Sequence, residues 1–423
     1  MSIQFQSRRI LLSFIIITSL FFMWGLANNL TDTLLAAFKR IMSMSDFQTS
    51  WIQIAFYGSY FTLALPAAIY IKKFSYKSGV LLGLGLYIIG ALLFYPASIH
   101  LSYGYFLVAL YILAGGLAVL ETTCNPYILA MGSPETATQR LNLAQSFNPI
   151  GSITGVIISK YFILSNLDRS SAVQRSLMPP EQLREIQQAE LSSVMGPYVT
   201  IGLLLLILWI VIAVRDMPEA KEKTEGLQLK SALNYLFTDK LYRMGIVAQF
   251  FYVGAQICVW SFTIRYVMAE LGVDESDASS YYIAALIVFT IFRFVNTVLM
   301  RYFNPEHLLM TSAILGVGST LLVITGGGMA GVVALIAISA FMSLMFPTIF
   351  GIASKNLGDF TKIGSSGLIM AIGGGAALPA LQGYLSDVTG SIHLSFAVPL
   401  VCFLVVALYG YVSKRQADLP SLK

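Results

Sequence analysis

The stretch YGYFLVALYILAGGLAVLETTCNPYILAM, Tyr103 to Met131, decides the fold. It exceeds the roughly 20 apolar residues that a helix needs to cross about 30 Å of hydrocarbon, and Glu121 is its one charged residue. An ionised carboxylate near the centre of a bilayer costs roughly 2.5 to 3.5 kcal/mol on the insertion scale, so such a group is retained for a function and faces protein or water. The segment therefore reads as a membrane span, with its polar residues as site candidates.

The bulk numbers agree. Of 423 residues, 57% are hydrophobic and 11% charged, and the mean hydropathy is +0.74. That leaves too little polar surface to coat a soluble body of this size. The net charge of +5 sits in short basic clusters between apolar runs rather than on one face, which argues against nucleic acid as a partner. Cys124, Cys258 and Cys402 fall inside apolar runs, and His100, His307 and His393 are scattered. No metal site, disulfide framework or catalytic constellation is expected from them, and no phosphate-binding G-x-x-x-x-G-K-[ST] run occurs. The chain is accordingly not expected to be an enzyme.

Twelve spans can be drawn. The first six run from Ile10 to Phe38, Trp51 to Ile71, Ser78 to Tyr95, Tyr103 to Met131, Leu141 to Leu164 and Pro197 to Val214. The second six run from Leu241 to Met268, Ala278 to Tyr302, Leu308 to Thr325, Gly331 to Ser354, Gly364 to Leu385 and Ile392 to Val412. Between the sets lies the polar linker 215–240, so the expected organisation is a six-helix bundle over 1–214, a cytoplasmic linker over 215–240 and a second bundle over 241–423. Arg8, Arg9, Lys72, Lys73, Lys77 and Arg140 fall on one side and few basic residues on the other, which places both termini in the cytoplasm. In the long external loop, PPEQLREIQQAELSSV reads as a short surface helix starting at Pro180. FFMWGLANN at Phe21 is echoed by FFYVGAQIC at Phe250, and NPYILAMG at Asn125 by FPTIFGIA at Phe346. This is the mark of a parallel repeat, in which substrate sits near the midplane between pseudo-symmetric bundles.

Several polar residues inside these spans need a reason. Asp32 lies one turn beyond Asn28 and Asn29, Glu121 one turn before Asn125, and Asn142, Gln145 and Asn148 recur every three residues. Gln249, Tyr252 and Gln256 in the seventh span join Arg293 and Asn296 in the eighth. A single amide in a membrane helix usually serves as interhelical glue. Amides and acids gathered with Trp24, Tyr57, Tyr252 and Phe289 suit a polyhydroxylated ligand better, because amides bond adjacent hydroxyls while rings cover a sugar's apolar face. By rise along the helix, Glu121 sits about 6 Å to the cytoplasmic side of its span's midpoint and Asp32 about 12 Å to the external side of its own. The two acids thus read as a deep group and a mouth group.

FFMWGLANNLTDTLL, VLETTCNPYILAMG and LNLAQSFNPIG resemble the signature segments of the fucose permease branch of the major facilitator superfamily, the fucose–galactose–glucose:H+ symporter family. The similarity is strongest from Phe21 to Gly151. The resemblance implies an all-α membrane protein of twelve helices in the bacterial cytoplasmic membrane, performing sugar:cation symport by alternating access. It places proton coupling on Asp32 and Glu121, and substrate binding on Asn29, Gln145, Asn148 and Gln256. L-fucose is the first expectation, with glucose, galactose and N-acetylglucosamine as alternatives; the co-transported ion is a proton, or sodium as in some relatives. The sequence itself adds Asn28, Asn125, Tyr252, Arg293 and Asn296 to the substrate-binding set. No resident cofactor is expected, the membrane lipid is the surrounding partner, and the functional unit is expected to be a monomer. A drug:proton antiporter of the same architecture is the less favoured alternative.

Overall fold

The computed structural model describes residues 8–41, 46–100, 102–159, 161, 174–175, 177–217 and 229–418, with no side chain described for 30–41, 46–50, 53, 192–195 and 276. The regular elements among the described residues are all helical. The long ones are α1 (Arg8–Ile41), α2 (Asp46–Lys73), α3 (Tyr76–His100), α4 (Tyr103–Ala130), α5 (Ala137–Gln145), α6 (Phe147–Ile158) and α7 (Pro180–Val214). After a short α8 (Leu229–Thr238) come α9 (Lys240–Leu271), α10 (Glu275–Leu299), α11 (Pro305–Thr325), α12 (Gly328–Met342), α13 (Met345–Ser354), α14 (Thr361–Met370), α15 (Gly374–Thr389), α16 (Ile392–Ser395) and α17 (Ala397–Asp418).

Among the described residues, eleven helical stretches are long and apolar enough to cross a membrane, each matching an expected span. The twelfth, expected as continuous from Leu141 to Leu164, is interrupted. It breaks at Ser146 into α5 and α6, and Pro149 supplies the reason, because a proline has no N–H for the carbonyl four residues back. A second difference lies after Pro180. Instead of a short separate surface helix, one helix of 35 residues starts there and runs through Pro197 into the sixth span. Its exposed Leu203, Ile207, Ile210 and Val214 form a stripe along one face, the pattern of a helix whose outer surface meets acyl chains.

The chain forms two compact units. One comprises Ile15–Cys124 and Phe147–Glu219. In it, a Cβ on Gly25 of α1 would strike the Asn148 carbonyl, and one on Gly151 of α6 would strike the Phe22 carbonyl, so two bare backbones cross in direct contact. Trp209 Nε1 of α7 donates to the Leu81 carbonyl of α3 at 2.9 Å.

The other unit comprises Met1–Phe14, Asn125–Ser146 and Ala220–Lys423. Its central α9 packs on α15, where a Cβ on Gly254 would meet Leu378 and one on Gly374 would meet the Phe250 carbonyl. Gly25 and Gly254 stand in register in the two echoed motifs, and each seats its helix against the fifth span of its own set. The repeat read from sequence is thus a repeat of packing. Residues 125–146, drawn with the first bundle from sequence, fall in the unit that holds the C-terminal set. Within that segment Arg140 is fully buried and donates to the Leu129 carbonyl at 2.7 Å, the Ser133 carbonyl at 2.8 Å, Thr136 Oγ1 at 2.7 Å and the Ile128 carbonyl at 3.4 Å. The last carbonyls of α4 thereby find a cationic donor in place of missing helical ones. From there α5 packs on α13 and α10.

Candidate functional site

Glu121 is 7% exposed on α4. Its partner is Tyr60 of α2, itself 2% exposed, whose hydroxyl donates to Glu121 Oε1 at 3.1 Å. The neighbouring threonines turn away into their own helix, Thr122 donating to the Ala118 carbonyl and Thr123 to the Val119 carbonyl. Among the described residues, no Lys, Arg or His nitrogen lies within 4.0 Å of the carboxylate. A neutral hydroxyl accommodates either charge state of a carboxyl group, whereas a fixed ion pair enforces one. Tyr60 was not among the sequence candidates. Its signal was present as a ring hydroxyl inside the apolar run FYGSYFTLALP, but only the fold shows which of several tyrosines faces the acid.

A second polar cluster occupies the unit that holds residues 125–146. Gln145 Nε2 donates to Asn125 Oδ1 at 2.8 Å. Arg293 of α10 donates through Nη2 to Gln145 Oε1 and through Nη1 to the Gln145 carbonyl, both at 3.3 Å. Its guanidinium also lies 5.1 Å from the centroid of the Phe289 ring, within cation–π range. One turn on, Asn296 Nδ2 donates to Ser343 Oγ at 3.1 Å. Asn125, Gln145, Arg293 and Asn296 are all buried. Fully buried Tyr252 sets its ring against Phe346. In this cluster Asn125 Nδ2 and Arg293 Nε have no hydrogen-bond partner among the described residues, and on α9 neither amide atom of the buried Gln249 has one. Orphaned buried donors and acceptors each cost about 1–3 kcal/mol, which makes these residues candidates to meet a polar ligand.

The structure thus brings together Asn125, Gln145 and Arg293, with Asn296 and Tyr252 on the same unit. It separates the amide stripe of the fifth span. Asn142 donates to Thr348 Oγ1 at 3.2 Å and to the Thr138 carbonyl at 3.0 Å, while Asn148, half-buried beyond the break at Ser146, donates to the Phe21 carbonyl at 3.3 Å. The bonds to Thr348 and to the Phe21 carbonyl tie helix to helix, while that to Thr138 stays within α5, so Asn148 also serves the crossing of α1 and α6. Asn28 and Asn29, the last residues of α1 with described side chains, are half-buried, and Gln256 is half-buried on α9. The side chain of Asp32 lies outside the described residues. Gln249, mentioned from sequence only as a companion, proves to be fully buried with its amide unmatched.

Known proteins match along the whole chain. The profile described as the Major Facilitator Superfamily matches residues 10–377. An L-fucose-proton symporter of Haemophilus influenzae is 43% identical over 97% of this chain and 98% of its own length. An L-fucose-proton symporter of Escherichia coli is 38% identical over 97% and 95%, and a glucose/galactose transporter of Brucella abortus 34% identical over 95% and 93%. A crystal structure of the Major Facilitator Superfamily transporter FucP in the outward conformation superposes with a TM-score of 0.91 at 38% identity, covering 96% of this chain and 99% of that one. These matches, over twelve spans and a buried carboxylate, define the class: the chain is a membrane transporter and belongs to the Major Facilitator Superfamily. Within it, the chain belongs to the fucose permease branch, the fucose–galactose–glucose:H+ symporter family.

Proposed function

We propose that the protein is a proton-coupled monosaccharide symporter working by alternating access, with L-fucose as its first substrate. The observation that carries this reading is Glu121, a buried carboxylate whose described partner is the neutral hydroxyl of Tyr60. A group so placed can change charge without breaking an ion pair. Protonated from outside, it permits the sugar-loaded carrier to reorient; inside, it releases its proton with the sugar. Asp32 acts nearer the external mouth, binding sugar or relaying the proton. One proton crossing a potential of about 150 mV supplies roughly 3.5 kcal/mol, enough for a several-hundredfold sugar gradient at about 1.4 kcal/mol per tenfold.

The choice of sugar rests on the symporters that share 43% and 38% identity with this chain, both named for L-fucose and protons. Glucose or galactose is the second reading, because a relative at 34% identity is named for those hexoses. Asn125 and Gln145, with the unmatched amide of Gln249, offer both donors and acceptors to sugar hydroxyls, and Asn28, Asn29, Asn148 and Gln256 are held as further substrate contacts. The protein is placed in the bacterial cytoplasmic membrane as a monomer with both termini inside, and carries no resident cofactor. A counterflow assay with labelled L-fucose, galactose, glucose and N-acetylglucosamine, run with and without sodium at two pH values, tests the reading. L-fucose exchange independent of sodium is expected; exchange that demands sodium would reassign the ion, and absence of sugar exchange would refute the function.

A further inference from the structure

In an unbroken helix the N–H of residue 149 would bond the carbonyl of residue 145. Residue 149 is proline, so the Gln145 carbonyl is deprived of its helical donor, and Arg293 Nη1 takes it at 3.3 Å. The neighbouring Nη2 reaches the side-chain oxygen of the same residue, also at 3.3 Å. Arginine can only donate, which fixes the amide: Oε1 faces Arg293, and Nε2 faces Asn125 Oδ1 at 2.8 Å. Both guanidinium bonds lie at the long end of hydrogen-bond range, and Arg293 Nε has no partner among the described residues. Arg293 therefore holds Gln145 by two weak bonds to one residue, and it does so between α10 and the end of α5, a segment that comes from the N-terminal half of the sequence.

We propose that Arg293 is a positioning residue that acts through Gln145: it holds Gln145 while the carrier is sugar-free, and it competes with sugar for the Gln145 side-chain oxygen. Pro149 sets up the competition by leaving the main-chain carbonyl available. This rests on the reading of the protein as a proton:sugar symporter. A sugar hydroxyl that donates to Oε1 displaces Nη2, and one weak bond to the carbonyl then remains between α10 and the end of α5. Any step that parts residues 137–145 from α10 is easier once sugar has made that exchange. Without sugar the two bonds persist, and the carrier does not cycle with a proton alone.

The test uses the full chain reconstituted in proteoliposomes, with two readouts. Sugar-free proton influx under an imposed pH gradient reports the hold on Gln145, and the KM for labelled L-fucose in counterflow, which needs no proton gradient, reports the competition. Arg293→Lys keeps the charge but cannot bridge two oxygens. Pro149→Ala leaves both side chains intact and returns an N–H to the Gln145 carbonyl. For each variant, sugar-free proton influx is expected to rise about tenfold, equivalent to about 1.4 kcal/mol, while the KM falls three- to tenfold. A direct sugar contact by Arg293 predicts a higher KM in Arg293→Lys, and a purely structural role predicts a lower maximal rate with no added influx; either result overturns the proposal. Unchanged influx and KM in Pro149→Ala, with its melting temperature near that of the wild type, overturns it as well. Wild-type protein that exchanges no sugar would sink the symporter reading itself, an outcome visible before either variant is made.

Discussion

Replacing Tyr60 with Phe removes the hydroxyl bonded to Glu121 and little else, because the ring and its contact with Phe56 at 5.5 Å remain. Hydrogen bonds to charged groups contribute about 1.5–3 kcal/mol, and a 3.1 Å separation puts this one at the lower end. The bond favours the ionised carboxylate, so its loss disfavours proton release by about 1.5 kcal/mol, roughly tenfold or one pH unit. Lost stabilisation of a charged carboxylate means that the proton leaves only at higher pH. The internal pH giving half-maximal L-fucose uptake is therefore expected to move about one unit alkaline, with sugar affinity in counterflow near the wild-type value. Proteoliposomes loaded with buffers from about pH 6 to 9 would read this. A midpoint that stays in place, or moves acidic, refutes the assignment of Tyr60 as the partner that tunes proton release.

Gln145→Ala and Asn125→Ala each remove one end of a 2.8 Å bond in the polar cluster; counterflow KM for L-fucose should rise about 5- to 30-fold, as expected for about 1–2 kcal/mol, with thermal unfolding little changed. Arg140→Ala strands the part-buried carbonyls of Leu129 and Ser133 at the end of α4, and at about 1.5–3 kcal/mol per charge-assisted bond the purified protein should melt many degrees lower in detergent. A wild-type melting temperature would show that the α4 carbonyls find other donors. Where α9, α11, α12 and α16 end or begin, His393 bonds Glu270 Oε1 at 2.6 Å and the Val323 carbonyl at 3.0 Å, while Glu270 also accepts from the Gly328 amide at 2.6 Å. Glu270→Ala should speed amide exchange across residues 323–328 and 391–395, read by hydrogen–deuterium exchange; no change in either segment would show that the pair does not hold these turns.

Most of the architecture was legible because membrane spans announce themselves by length and composition, and Gly25 and Gly254 occupy matched places in motifs that look alike for a packing reason. The fifth span was misread as continuous because hydropathy registers apolar length and ignores the hydrogen-bond register. Pro149 was visible, but its effect falls on the carbonyl of Gln145, a backbone atom that no side-chain pattern displays. Asn142, Gln145 and Asn148, joined in sequence by a period of three, all meet protein, but on the two sides of the turn at Ser146 they take different partners: Thr348, Asn125 and the Phe21 carbonyl. Glu121 could be singled out by the cost of a charge in an apolar run, whereas Tyr60 could not be chosen from among many tyrosines until α2 and α4 were placed side by side. Asp32 was equally legible as a charge out of place, and its side chain lies outside the described residues.

The measurement that bears most directly on the central claim compares uphill accumulation and counterflow of labelled L-fucose in Glu121→Gln, whose amide imitates the protonated acid. With an imposed proton gradient, wild-type vesicles are expected to concentrate the sugar far above the outside level, while the variant equilibrates it and retains some exchange of sugar for sugar. Accumulation by Glu121→Gln equal to that of the wild type would contradict the account, because the buried carboxylate beside Tyr60 would then have no part in coupling.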